Sequence, residues 1–266
     1  MNNVSVLLCV VGKVMGVTQL HDVVYIVCWN YFTIIRFRAT THQRLTDINV
    51  KNLSQPWDIA ACEETSQLYV ADTECIWRVS TDGADIKRWL PKSPSDTFRP
   101  CTLSVTSTRL LVTSLDDELI QFDAVGNELR RVRLPGFMFP LHAVESPTGT
   151  FIVSCRNIRL NDQRQVNEVN TEGEVLRQFS HLLGEPQHIA FDSQGNMFVV
   201  DYVSRRILLL DAHLVLRRVI IDEHQLNYKV PRRLCYTEQS GQLLVGFEAG
   251  IIGESGSVTV FDVLHR

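Results

Sequence analysis

Residues 186–211, PQHIAFDSQGNMFVVDYVSRRILLLD, decide the fold. A proline is followed three residues later by the apolar Ile189. A polar turn at 192–196 separates that residue from the hydrophobic run 197–200. A second apolar run, 207–210, comes after a polar break. Short runs of Val, Ile, Leu and Phe bounded by turn residues read as antiparallel strands, and no 3.6-residue apolar period competes with that reading.

The same order recurs. Pro56 opens PWDIAACEETSQLYVAD, Pro100 opens PCTLSVTSTRLLVTS, Pro140 opens PLHAVESPTGTFIVS and Pro231 opens PRRLCYTEQSGQLLVGF. Each has an apolar residue three positions on, or four in the Pro140 unit: Ile59, Leu103, Val144 and Leu234. The prolines stand 44, 40, 46 and 45 residues apart. A third apolar strand follows at 76–79, 119–122, 166–169, 207–210 and 258–261. A more polar fourth strand follows at 84–90, 128–134, 175–179 and 214–220. Asp82-Gly83, Gly126-Asn127 and Glu172-Gly173 supply hairpin turns. One four-stranded unit cannot bury both faces, whereas radial packing against like neighbours can.

Dividing 266 residues by this period gives six units. Stepping back 44 residues from Tyr69 reaches Tyr25 and places the first unit at 12–50, with strands at 13–19, 23–28, 33–37 and 44–50. The expectation is one all-β domain over 1–266, a six-bladed β-propeller of four-stranded antiparallel blades at 12–50, 56–90, 100–134, 140–179, 186–220 and 231–262. The last unit has no fourth strand of its own. The apolar run 4–11 is expected to supply it and close the ring, since propellers avoid open edges. The rival reading of that run is a signal peptide; eight residues are too few to span a bilayer.

The composition, 45% hydrophobic and 21% charged, belongs to a folded globular chain. A net charge of −4 argues against a general binder of nucleic acid or anionic membrane. Cys9, Cys28, Cys62, Cys75, Cys101, Cys155 and Cys235 are odd in number and show no CxxC spacing. Free thiols in a reducing, cytoplasmic setting are therefore expected. No membrane span is read, and a monomer is expected.

The pattern Pro-x-x-Ile-Ala-x-Asp, then a Gly turn, then Phe/Tyr-Val-x-Asp, then an Ile-rich strand resembles the NHL repeat. Residues 56–83, PWDIAACEETSQLYVADTECIWRVSTDG, and 186–211 match it best. Asp72 and Asp201 match the family's Asp after the second strand, and Ser114, Ser154 and Phe247 depart from it. The resemblance implies a ligand face near the central channel, but one fold hosts many functions.

The residue two after each repeat proline is polar in every copy: Asp58, Thr102, His142, His188 and Arg233. These five are the candidate ligand-binding ring, with Trp57 as an aromatic contact on the same face. The plainer reading is a position that needs only a polar residue. His142 and His188 fall in successive blades, and paired imidazoles bind zinc or act as bases. The resemblance extends to peptide-amidating lyases, whose metal-binding histidine follows the proline directly. Here it comes one residue later, which changes the face of a strand. Asp58 is the ring's one acid, short of what a calcium lactonase needs. Ser255 in GESGS is only loosely like a nucleophile elbow, and no phosphate loop or dinucleotide fingerprint is present. The expectation is no catalytic residue, no metal and no cofactor.

Basic doublets, Arg130-Arg131, Arg205-Arg206, Arg217-Arg218 and Arg232-Arg233, raise RNA binding, which some NHL domains perform. Two of the four lie on outer strands, where Arg is ordinary edge protection. The leading reading is a non-enzymatic scaffold for a protein or peptide partner. A metal-assisted lyase or lactonase-like enzyme and an RNA binder are the alternatives.

Overall fold

The computed structural model describes residues 4–10, 12–73, 75–91, 99–157, 163–180, 183–248 and 256–263. Ser255 lies outside them, as does residue 11 of the N-terminal run. Twenty-four strands form six four-stranded antiparallel sheets, and no helix occurs among the described residues.

The first blade comprises β2 (Val14–Leu20), β3 (Val23–Cys28), β4 (Thr33–Arg38) and β5 (Ile48–Asn49); β1 (Val4–Val10) precedes it. The second holds β6 (Asp58–Cys62), β7 (Gln67–Ala71), β8 (Cys75–Ser80) and β9 (Ile86–Pro91). The third holds β10 (Pro100–Thr106), β11 (Arg109–Ser114), β12 (Glu118–Phe122) and β13 (Glu128–Arg133). The fourth holds β14 (Met138–Glu145), β15 (Phe151–Asn157), β16 (Gln163–Val169) and β17 (Val175–Phe179). The fifth holds β18 (Pro186–Phe191), β19 (Met197–Asp201), β20 (Arg206–Leu210) and β21 (Leu216–Ile221). The sixth holds β22 (Pro231–Thr237), β23 (Gln242–Phe247) and β24 (Gly256–Asp262).

The N-terminal strand completes the sixth sheet. β1 runs antiparallel to β24, with Leu8 opposite Val258 and Val10 opposite Gly256. The inner strands β2, β6, β10, β14, β18 and β22 each touch the next, and β22 touches β2. That is a closed propeller. Apolar residues of neighbouring sheets fill the wedges between blades. One cluster joins Tyr25, Val27 and Ile34 of the first blade to Ile59, Val70 and Trp77 of the second. Another joins Leu8, Val10 and Val260 to Val17, Val24 and Ile35.

One strand is shorter than expected. The first blade's outer strand, read as 44–50, pairs only at Ile48–Asn49, plus an isolated bridge between Phe37 and Arg44. Beyond it the chain leaves the edge and turns inward, so that Val50 and Leu53 join Ile48 in the wedge between the first two blades. Burying these side chains outweighs a few edge hydrogen bonds that water replaces readily.

The two Asp residues of the repeat pattern are loop staples. Asp72 accepts backbone N–H bonds from Ser54 (2.9 Å) and Gln55 (2.9 Å), the two residues before Pro56, and from Thr73 (2.8 Å). Asp201 accepts from Gly184 (3.1 Å) and Glu185 (2.9 Å), the two residues before Pro186. Each carboxylate thus ties the incoming loop to its own blade. Cys28, Cys62, Cys75 and Cys155 are buried, and burial pushes Cys28 and Cys155 up to about 12. Among the described residues, no helix is long and apolar enough to cross a membrane.

Candidate functional site

A β-bulge recurs at the start of the inner strand. The register shifts between Val14 and Gly16, Pro100 and Thr102, Pro140 and His142, Pro186 and His188, and Pro231 and Arg233. A bulge re-aims the side chain that follows it. The structure brings Asp58, Thr102, His142, His188 and Arg233 into one buried layer; the most exposed, His188, shows 8% of its surface.

Four of the five are bonded to the backbone of the following blade. The Asp58 Oδ2 accepts the Leu103 N–H at 3.0 Å, and its Oδ1 accepts the Ile59 N–H at 2.9 Å. The Thr102 hydroxyl donates to the Leu141 carbonyl at 3.2 Å. His142 Nδ1 accepts the Ile189 N–H at 3.3 Å, so Nε2 carries the proton, 3.4 Å from the Leu103 carbonyl. Arg233 Nε donates to the Met15 carbonyl at 2.7 Å and a terminal nitrogen to the Trp57 carbonyl at 3.3 Å. The polar position is therefore a stitch between blades, because edge-on inner strands leave backbone groups that need partners. In the first blade the equivalent residue is Gly16. A Cβ there would stand 2.6 Å from the Ile59 nitrogen, and only glycine fits.

His188 is the exception. Its ring stacks on His142 with centroids 3.7 Å apart and planes inclined by 26°. Nε2 lies 3.9 Å from Asp58 Oδ2 across the channel. Its Nδ1 is buried and has no hydrogen-bond partner among the described residues.

Charge in the layer is paired. Arg233 Nε stands 3.8 Å from Asp58 Oδ1. Burial pushes the Asp58 carboxyl up from its ordinary value, opposed by Arg233 and His142. Burial holds both imidazoles well below theirs, reinforced by His188 at His142 and by Arg233 at His188. Both are neutral, and the His188–Asp58 contact is not an ion pair.

Above the layer lies a cavity of about 560 Å³ on the propeller axis, walled by all six blades. Of the polar ring, only His142 and His188 line it. Apolar walls come from Ile59, Leu103, Ile189 and Leu234, the repeat's regular apolar position, and from Val17 and Val105. The cavity opens where inner strands turn into second strands, at Thr106, Pro147, Phe191 and Tyr236. Glu145 also lines it, but its carboxylate is held by Arg109 at 2.9 Å and Gln121 at 2.8 Å. In the sequence Ile59, Leu103, Ile189 and Leu234 stood out as the repeat's apolar position and not as the wall of a site.

Trp57 is not part of this cavity. It is half-buried on the other side of the polar layer, edge-to-face with Trp29 at 5.3 Å. There Glu248 accepts the Tyr202 hydroxyl and pairs with Lys13. Burial and Glu248 push the Tyr202 phenol up to about 12.

No family model matches the sequence, and no curated protein matches it. The fold is similar to that of a luciferin-regenerating enzyme, at TM-score 0.72 and 13% identity over 97% of this chain and 95% of that one. It is similar to the WD40 β-propeller domain of Doa1, at 0.67 and 14% over 98% and 96%. It is also similar to a protein of unknown function from Bacteroides caccae, at 0.65 and 14% over 84% and 81%. At such identities the likeness concerns fold alone, and these neighbours include both an enzyme and a WD40 domain.

Proposed function

We propose that this NHL-like propeller is a non-enzymatic scaffold that takes an apolar segment of a protein or peptide partner into its axial cavity. One observation carries the reading: an apolar cavity walled by six blades ends on a polar layer whose groups are mostly consumed by the fold. Asp58, Thr102, His142 and Arg233 spend their hydrogen-bonding capacity between blades. A general base or nucleophile needs a group still able to exchange protons with substrate. Apolar concavities with few polar groups are typical binding sites.

The test is chemical cross-linking of the chain in extracts of its source cells, comparing wild type with Val105→Glu and Phe191→Glu, which put charge on the cavity wall. Loss of the cross-linked partner in both variants, with the melting temperature retained, supports the assignment. Undiminished cross-linking in both rejects it. Trp57→Ala, beyond the polar layer, is expected to leave capture unchanged.

A metal-assisted lyase or lactonase-like enzyme is the second reading, because ligand atoms of Asp58, His142 and His188 come within 4.8 Å of one another. Against it, both ring nitrogens of His142 face backbone groups, and the Arg233 guanidinium beside Asp58 repels a dication. Stoichiometric zinc or calcium in the purified chain would overturn the scaffold reading. RNA binding has less support. Arg131 is paired with Glu118 and Glu128, Arg133 with Glu118, and Arg233 is buried.

A further inference from the structure

The channel has a second mouth, on the far side of the polar layer from the axial cavity. The residues just before that layer, one from each blade, are Met15, Trp57, Cys101, Leu141, Gln187 and Arg232; all but Met15 are half-buried. Arg232 stands apart among them. Its guanidinium makes no hydrogen bond among the described residues. Nε is buried and unpartnered, the terminal nitrogens are not buried, and the side chain keeps 16% of its surface. Its ion-pair partner, Glu248 Oε1, stands 3.9 Å from Nη1, too far for a hydrogen bond.

Glu248 is already taken. Lys13 pairs with its Oε1, and the Tyr202 hydroxyl donates to its Oε2 at 2.5 Å. Tyr202 is neutral, its phenol pushed up to about 12. Two cations, Lys13 and Arg232, therefore face one carboxylate. Nearby charges are matched. Glu185 accepts the Gln187 amide and stands 3.6 Å from Arg164, Asp201 is 3.0 Å from Arg206, and Arg233 faces Asp58. One positive charge is left over around Glu248, and it is carried by a planar fork of donors whose hydrogen bonds are unmade.

We infer that this second mouth is a carboxylate site anchored on the Arg232 guanidinium. It is separate from the axial cavity, which Arg232 does not line. The fork matches the two oxygens of a carboxylate, and one negative charge cancels the one in excess. A phosphate monoester would bring nearly two negative charges beside Glu248. A phosphodiester inside a nucleic-acid strand is flanked by sugars and does not reach a side chain recessed to 16% exposure. A group at the end of a molecule does. Trp57 and Leu141, in the same ring, favour an acid with an apolar body. Such a carboxylate is carried by a small organic acid or by the C-terminus of a partner chain.

The probes are benzoate and benzamide, which share a ring and differ in charge, titrated into the intact nitrogen-15-labelled chain at neutral pH. Benzoate is expected to bind more tightly, by about tenfold for a charged, two-pronged contact. Arg232→Gln removes the charge and the fork, and should bring the two probes together. A readout on the wild type covers the case in which that variant misfolds: benzoate should shift the Arg232 Nε resonance and benzamide should not. A third arm compares acetyl-Gly-Phe, with its free carboxylate, against benzoate. Tighter binding of the peptide assigns the site to a chain end, and tighter binding of benzoate assigns it to a small acid; both uphold the inference. Equal affinity for benzoate and benzamide, no binding of either, tighter binding of phenyl phosphate than of benzoate, or a preference that survives in folded Arg232→Gln overturns it. A chain whose partner capture is undiminished by Val105→Glu and Phe191→Glu, yet which seats benzoate on Arg232, would lose the axial-cavity scaffold and keep this site.

Discussion

His142 and His188 stack face to face in a buried layer, and both are neutral. Their neutrality has a pH consequence whose sign can be worked out. As pH falls through about 6.5 the unfolded chain protonates each imidazole, while the folded chain does not. The unfolded state then binds more protons, so stability falls with falling pH, by up to about 1.4 kcal/mol per pH unit for each histidine. Asp58, whose carboxyl burial pushes up, acts in the opposite sense. A comparison of wild type with His188→Phe isolates one histidine. Between about pH 6.5 and 5 the slope of unfolding free energy against pH is expected to be shallower in the variant by up to about 1.4 kcal/mol per unit. Urea melts measure it, and identical slopes would mean that His188 protonates inside the folded ring.

Asp72 gives a second prediction at this scale. Burial by itself would raise its pKa, but N–H bonds from Gln55 and Ser54 outweigh that and hold the carboxyl below its ordinary value. Asp72→Ala strands those donors, Thr73 N–H and the Trp77 indole nitrogen, which lies 3.2 Å from Oδ2. A loss of about 3 kcal/mol is expected in chemical denaturation. A loss under about 0.5 kcal/mol would show that water replaces the staple without cost. The Asp is visible in the sequence as a repeat letter. Its work is not, because its partners precede it by some 17 residues and meet it only through the hairpin.

Among elements, β1 has a role out of proportion to its length. Its ladder to β24 turns a three-stranded end into a full blade. Leu8 and Val10, both at most 2% exposed, pack against Val258 and Val260 and against the first blade. Burying the two contributes about 3–6 kcal/mol, so removal of residues 1–11 should lower the melting temperature by roughly 10 °C and leave the β24 edge open to self-association. A truncated chain melting with the intact one would refute that role for the strand. The strand was legible because an apolar run had no partner within its own repeat. The short β5 was not legible: 44–50 has strand-like composition, but Val50 and Leu53 are drawn into the wedge, a competition between edge pairing and burial that only the neighbouring blade decides.

Across the whole molecule, six sheets share one axis, and the channel between them is shaped by residues that look ordinary one at a time. Leu103, Ile189 and Leu234 read as core in their repeats, and they are buried; yet symmetry sets them around a cavity of about 560 Å³. The polar ring reverses the contrast. Asp58, Thr102, His142, His188 and Arg233 attract notice in the sequence as a possible site. Four of them hydrogen-bond to the backbone of the next blade.

Period, strand count and ring closure were determined by the sequence alone, because apolar alternation and turn residues are local properties repeated at a fixed interval. Which polar residues the fold consumes and which it leaves over was decided only by the tertiary structure. That depends on whether a backbone group of the next blade comes within hydrogen-bonding distance, and for His188 none does among the described residues.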